Sequence, residues 1–267
     1  MQMQTTYERD IIVNKVLRVL NVILKAIVIV IFIFPFYWMV STSLKDLTEA
    51  LKFPPTLIPS SLHWENYAHV FEVVPIAQYF KNSVIVSVTV LILQYLIIVP
   101  AAYSLSRHEY KGKKLFFGLV LLGQMIPQQV TFLPVYFMFS KVKLLSTLIP
   151  LILPFISNPF GIFMLGQYFM QIPQEVIEAA RLDDASNMKI MFKVMMPMAK
   201  PALVTIGLLS FISTWNSYFW PLIMTSKEAL RTLPVGVAAL KSSETLQMWH
   251  IIMAGNVVLV LPILLIY

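Results

Sequence analysis

Residues 178–201 read EAARLDDASNMKIMFKVMMPMAKP and stand between two segments apolar enough to cross a bilayer. A loop that only connects spans can be short and shapeless. This one carries charges of both signs, a helical pattern and closing prolines at Pro197 and Pro201, so it reads as a surface offered to another molecule. Just upstream, Ile172-Pro173-Gln174-Glu175 puts proline at a first helical position with an acid in the first turn, a favourable start for a helix. The residues that follow set Glu178, Ala179 and Leu182 on one narrow face. Asp183-Asp184 reads as a turn, and Asp184 or Ser186 can cap a second helix that runs to Met196 and is stopped by the prolines. On pattern alone, an ordinary amphipathic connector fits this loop as well as a docking surface does.

The rest of the sequence says why the loop has membrane on both sides. Of 267 residues, 58% are hydrophobic and 12% charged, with a mean hydropathy of +0.76, far from the balance of a soluble domain. A helical span takes about 20 apolar residues. The hydropathy pattern predicts an all-α membrane protein of one domain with six transmembrane helices, at about 17–40, 82–105, 115–138, 147–169, 202–224 and 249–267, and a cytoplasmic loop at 172–200. The N-terminal stretch has no small-residue cleavage site before its first span and reads as a retained anchor. Pro127, Pro134, Pro150, Pro154 and Pro159 predict kinked or broken third and fourth spans, which persist in lipid only against protein or water-lined space.

Alternating the six spans places twelve basic residues on the side of the N-terminus and of the quoted loop, against seven opposite. The positive-inside rule makes that side the cytoplasm. The same rule accounts for the net charge of +7, so the lipid bilayer is the expected partner and nucleic acid is not.

Several function classes fall away. None of the six stretches holds an Asp or Glu at depth, where an ion-coupled carrier needs a counter-charge. No phosphate-cradling G-x-x-x-x-G-K-[ST] occurs, nor H-E-x-x-H, nor G-x-S-x-G. The absence of cysteine excludes disulfides and thiolate metal sites, and four scattered histidines show no ligand spacing, so no metal site and no catalytic residue is predicted. If the chain moves a solute uphill, another subunit supplies the energy.

EAARLDDAS followed by FKVMMPMAKPAL resembles the EAA loop of inner-membrane permease subunits of binding-protein-dependent ABC importers. FPPTLIPSSLHWENY (53–67), KNSVIVS (81–87), PAAYSLSRHEYKGKK (100–114), MIPQQVTFLPVY (125–136), NPFGIFMLGQYF (158–169) and TWNSYFWPLIM (214–224) extend the likeness to most of the chain. They are similar to the carbohydrate-uptake branch, close to the second permease subunit of maltose-type systems. The resemblance implies a type I importer fold and a loop that forms the coupling helix, with Glu178, Ala179, Ala180, Asp183, Asp184 and Ala185 docking on a cytoplasmic ATPase. Where the family usually has glycine after the aspartate, Asp184 stands here; aspartate tolerates a left-handed turn better than most residues. Also implied are a second, similar permease subunit, two ATPase subunits carrying ATP and Mg, an extracytoplasmic solute-binding protein, and a short basic tail beyond Tyr267. This chain itself would hold no cofactor. The implied cargo is a sugar or oligosaccharide, with glycerol phosphate or another polyol phosphate as the alternative within the family.

The residues leave other roles open. Gln124, Gln128 and Gln129 fit a translocation path, and equally fit a tie for backbone freed by Pro127. Ser210, Ser213, Thr214 and Ser217 share a helical face that reads first as helix-to-helix contact. Trp215 and Tyr218, with Asn216 beside them, have the chemistry to meet sugar rings, whereas Trp220 reads as part of the interfacial aromatic belt. Trp64, Asn66 and Tyr67 fit either a contact with the binding protein or a self-packed loop. A non-transporting assembly protein and an intramembrane enzyme are the rivals from other classes; the lack of deep acidic groups and metal motifs counts against the enzyme.

Overall fold

Lipid offers no hydrogen bonds to a backbone, which restricts a single spanning chain of this composition to helices. A computed structural model of the chain describes residues 2–241 and 248–266, with side chains described at Lys15 and from Leu17 onward, Gln124 excepted. The described residues are helical or connecting, and they divide into two units: residues 1–73 with 240–260, and residues 74–239 with 261–267.

In the first unit, α1 (Gln2–Ser43) is apolar on all sides from Ala26 to Phe34 and exposed along that stretch. A short α2 (Leu47–Ala50) and α3 (Glu65–Val73) follow. The segment between them is self-packed through polar groups. Asp46 caps α2, its Oδ1 accepting from the Glu49 N–H at 2.7 Å. The Glu49 carboxylate accepts from the Thr56 hydroxyl at 2.8 Å and the Ser60 N–H at 3.1 Å. Burial pushes the Glu49 carboxyl up, but these hydrogen bonds outweigh it and hold the group below its usual range. Buried Lys45 donates to the Thr56 carbonyl at 2.5 Å and lies 4.6 Å from the centre of the Trp38 ring. Asn66 donates to both the Ser43 and Lys45 carbonyls, and Tyr67 meets the Ser43 hydroxyl, so of the three loop residues only Trp64 stays exposed.

The second unit is built on α4 (Ile76–Arg107), the longest helix in it. Then come α5 (Lys113–Met125) and α6 (Gln128–Lys141), α7 (Ile149–Ile152) with a 3₁₀ turn at Leu153–Phe155, and α8 (Pro159–Gln171). The loop of the sequence argument follows as α9 (Gln174–Leu182), α10 (Asn187–Ile190), a π turn (Met191–Met195) and α11 (Met196–Met198). The unit continues with α12 (Lys200–Trp215), α13 (Phe219–Met224) and α14 (Leu233–Ala239); α15 (Trp249–Ile266) belongs to the first unit as far as Val260.

Among the described residues, three helices are long and apolar enough to cross a membrane: Leu17–Ser43, Ile76–Arg107 and Trp249–Ile266. Three bent pairs pass the same test and bring the number to as many as six: Lys113–Gly123 with Gln128–Lys141 at 91°, Ile149–Phe155 with Pro159–Gln171 at 40°, and Asn187–Met198 with Lys200–Trp215 at 82°. The predicted third and fourth stretches are therefore broken, at Pro127 and just before Pro159. The stretch expected as one helix over 202–224 is instead α12 and α13, interrupted at Asn216–Tyr218. Pro221 explains the break: it has no N–H for the Ser217 carbonyl, and its ring obstructs a continuing helix. Pro197 does not stop the second loop helix as expected. The π turn ahead of it is closed by the Met196 N–H on the Met191 carbonyl, so the proline joins a helix that ends at Met198.

α4, α8 and α12 pack closely around Ile98, Leu165, Phe169 and Ile206. Small residues permit this approach, as is usual where helices meet in lipid. A Cβ on Gly161 would stand 2.7 Å from Ile98 Cδ1 and 3.3 Å from Ile206 Cγ2. We predict that Gly161→Ala destabilises the lipid-reconstituted chain by about 1–3 kcal/mol through overpacking. Ile98→Val removes the obstructing methyl at a cost of about 0.5–1.5 kcal/mol by itself. In thermal unfolding the double variant should be more stable than the sum of the two losses; strict additivity would mean that the contact is not close.

Candidate functional site

Two features of the second unit draw polar groups together: the loop at 172–200 and the broken middle of the α7–α8 and α12–α13 segments.

α9 rests on the helical core by Ile177, 1% exposed, with Val176 and Ala180 packed beside it. Its other side faces outward, with Glu178, Ala179, Arg181 and Asp183 exposed and Leu182 at 87% exposure. The helix ends in a Schellman turn. The Ala185 N–H bonds the Ala180 carbonyl at 3.0 Å, the Asp184 N–H bonds the Arg181 carbonyl at 3.1 Å, and Asp184 between them has φ +53°. Ala180 and Ala185 both turn inward against the core, so these two members of the predicted docking set position the turn, while the outward face is carried by Glu178, Ala179 and Asp183. Ser186 rather than Asp184 caps α10, its hydroxyl accepting from the Lys189 N–H at 3.3 Å.

The end of α4 fixes this loop. The Arg107 guanidinium donates to the Phe169 carbonyl, to the Ile172 carbonyl at 2.5 Å and to the Gln174 side chain at 3.3 Å. A cation there satisfies the last carbonyls of α8 and complements the helix dipole. The Tyr103 hydroxyl donates to Asn187 at 3.2 Å, so a second contact from α4 holds α10.

At the break before α8, Asn158 caps the helix, its Oδ1 accepting from the Gly161 N–H at 2.8 Å. Its amide donates to the Ser210 hydroxyl at 3.1 Å and to Gln94 Oε1 at 3.4 Å. Gln94, buried in the middle of α4, donates in turn to the Phe155 carbonyl at 2.7 Å. The network supplies partners for backbone that the broken helix cannot satisfy itself. Beside it lie two cavities of about 360 Å³ and about 70 Å³, both lined by Gln128, Phe155, Ser213 and Thr214.

Of the residues proposed for a path, only Gln128 lines these cavities; Gln129 is exposed elsewhere on α6, and Gln124 lies outside the described side chains. Trp215 is buried, stacked on Phe211 and edge-on to Phe80. Asn216 ends α12 through its N–H to the Ile212 carbonyl, and Tyr218 is exposed at the break. Trp220 is not an interfacial side chain in this fold. It is 5% exposed, donates to the Pro150 carbonyl at 2.8 Å and packs edge-on against Phe132 and Phe155. Sequence reasoning missed Gln94, Asn158 and Thr232. A glutamine inside an apolar run and an Asn-Pro step opening a helix were the available signals.

The turn yields a prediction. An L-residue held left-handed costs about 1–2 kcal/mol, less for aspartate. Asp184→Gly should preserve the turn and raise stability by about 0.5 kcal/mol, net of the backbone entropy glycine loses. Asp184→Val should lower stability by about 1–2 kcal/mol and speed hydrogen exchange at the Ala185 N–H, because a β-branched residue is a poor fit to positive φ. Equal exchange in both variants would argue against the left-handed geometry.

Comparisons with known proteins agree with this arrangement. The family model described as binding-protein-dependent transport system inner membrane component matches residues 94–267. The arabinooligosaccharides transport system permease protein of Halalkalibacterium halodurans is 32% identical over 91% of this chain and 88% of its own length. The diacetylchitobiose uptake system permease protein of Streptomyces coelicolor is 35% identical over 89% and 80% respectively. In a crystal structure of a bacterial ABC transporter involved in the import of the acidic polysaccharide alginate, one chain superposes with a TM-score of 0.82 at 24% identity, covering 95% of this chain and 94% of that one. The chain belongs to the family of inner membrane components of binding-protein-dependent transport systems.

Proposed function

We propose that this transport component is the permease subunit of an ATP-driven importer for a sugar or oligosaccharide, forming one transmembrane domain of six spans with its N-terminus in the cytoplasm. It would pair with a second, similar permease subunit. Two cytoplasmic ATPase subunits would bind ATP and Mg, and a solute-binding protein would deliver cargo from outside. The carbohydrate class is supported by the names of the two relatives, an arabinooligosaccharide and a diacetylchitobiose permease.

The observation that carries the coupling role is the form of α9: an exposed face on a short helix whose back is seated in the main core. A load on Glu178 or Leu182 would act on a rod of nine residues, about 13 Å long. Its inner side is continuous with α4, α8 and α12, and Arg107 ties its entry to the end of α4. Closure of the ATPases on ATP would move this rod, and the breaks at Pro127, Pro159 and Pro221 would let half-helices turn and alternate access.

The test is Glu178→Lys in the complex assembled in lipid with its binding protein. Reversing a charge inside a docking face should weaken ATPase association by about 1–2 kcal/mol, about tenfold. Pull-down should lose the ATPase, and stimulated ATP hydrolysis should fall with it. Unchanged retention and hydrolysis would remove Glu178 from the docking contact.

A further inference from the structure

The paired cavities beside the broken helices differ in one respect from what an anion carrier requires. Their linings contain Gln, Asn, Ser and Thr, with Phe155 and Trp220 as apolar walls, and, among the described residues, no Lys, Arg, Asp, Glu or His. Hydroxyl and amide groups both donate and accept, as sugar hydroxyls do. The smaller cavity is also lined by Thr232, 4% exposed, whose Oγ1 is buried without a hydrogen-bond partner. A buried polar group normally has a partner, and an orphaned one is costly enough to call for an explanation.

From these observations we infer that this subunit itself holds cargo, and that its cavity takes an uncharged saccharide while rejecting phosphorylated polyols and uronates. This rests on the permease reading above and narrows its cargo. A neutral ring in the larger cavity can exchange its bonds to water for bonds to Gln128, Ser157, Ser213 and Thr214, with its C–H faces against Phe155 and Phe160; the smaller cavity, which shares Gln128, Phe155, Ser213 and Thr214, adds Thr232 and Trp220. A phosphate or carboxylate entering the same space leaves its hydration shell and meets no cation, and the cost of burying an unpaired charge far exceeds what neutral hydrogen bonds return. The volume of about 360 Å³ lies within the range of small-molecule sites. Discrimination by charge would thus be built into the path as well as into any binding protein.

The chain has no cysteine, so one introduced thiol is its only thiol. Ser213→Cys and Gln128→Cys place it in the cavity from two different helices, and Ser140→Cys, at the exposed end of α6, is the control. Each variant is assembled with its partner subunits in nanodiscs, and also studied as the chain alone. The rate of alkylation on this chain is followed by mass spectrometry with free maltotriose, arabinotriose, diacetylchitobiose, sn-glycerol 3-phosphate or glucuronate.

At least one of the three neutral sugars should slow alkylation at both cavity positions and not at the control, by about fivefold at a concentration about four times its Kd. Neither anion should do so. Protection by an anion equal to that by the sugars, or no protection by any of the three sugars, overturns the inference. Failure of the ATPase to assemble would count against the permease reading, while the chain alone still answers the question of the cavity.

Discussion

A carbonyl or amide left without a partner in hydrocarbon costs several kcal/mol, and this chain breaks its helices in stretches apolar enough to lie there. Everything around the breaks is arranged to answer that constraint. Gln94 reaches the Phe155 carbonyl, Asn158 caps the helix that restarts after it, and Ser210 closes the set from α12. Trp220 gives its indole N–H to the Pro150 carbonyl on the neighbouring broken segment. The side chains that keep the breaks stable also make the nearby space polar. Structural need and the proposed cargo chemistry thus draw on the same residues.

α4 carries both ends of the arrangement. Its middle contributes Gln94 to the broken segment, and its last turn contributes Tyr103 and Arg107 to the loop. Between them run Ile98, Val99 and Ala102, all buried in the cluster that α8, α9 and α12 share. In the proposed coupling, a displacement at α9 would reach the cavity through these packed side chains of α4, which stays one continuous helix across Pro100, with the breaks at Pro127, Pro159 and Pro221 as the places where rotation is free. Close packing makes such transmission steep, since a dense interior shifts between arrangements and does not yield gradually.

The sequence was explicit wherever one local rule dominated. Apolar runs marked the long helices, Pro127 and Pro159 marked the broken third and fourth stretches while Pro35, Pro100 and Pro262 sit inside continuous helices, and Pro173, the Asp-Asp turn and Ser186 marked out the loop nearly residue by residue. It was less explicit where partners come from distant positions. Nothing local distinguishes Ala180 and Ala185, which turn inward, from Ala179, which does not; only the core beneath α9 decides. Trp220 carried the composition of an interfacial residue, and a carbonyl 70 positions away made it a core residue. The interruption at Asn216–Tyr218 was hidden because a proline acts on the residue four before it, inside a run that hydropathy reads as continuous.

The left-handed Asp184 bears on how such loops are found. At a Schellman C′ position the backbone selects by stereochemistry, and only glycine, asparagine and aspartate enter it at low cost. Substitutions over time are free within that small alphabet and blocked outside it. A search pattern that demands glycine would pass over this loop, whereas one that demands a residue able to adopt positive φ, flanked by two small inward-facing residues five apart, would retain it. The better signature of the motif is a dihedral angle, of which the letter in the sequence is one of several spellings.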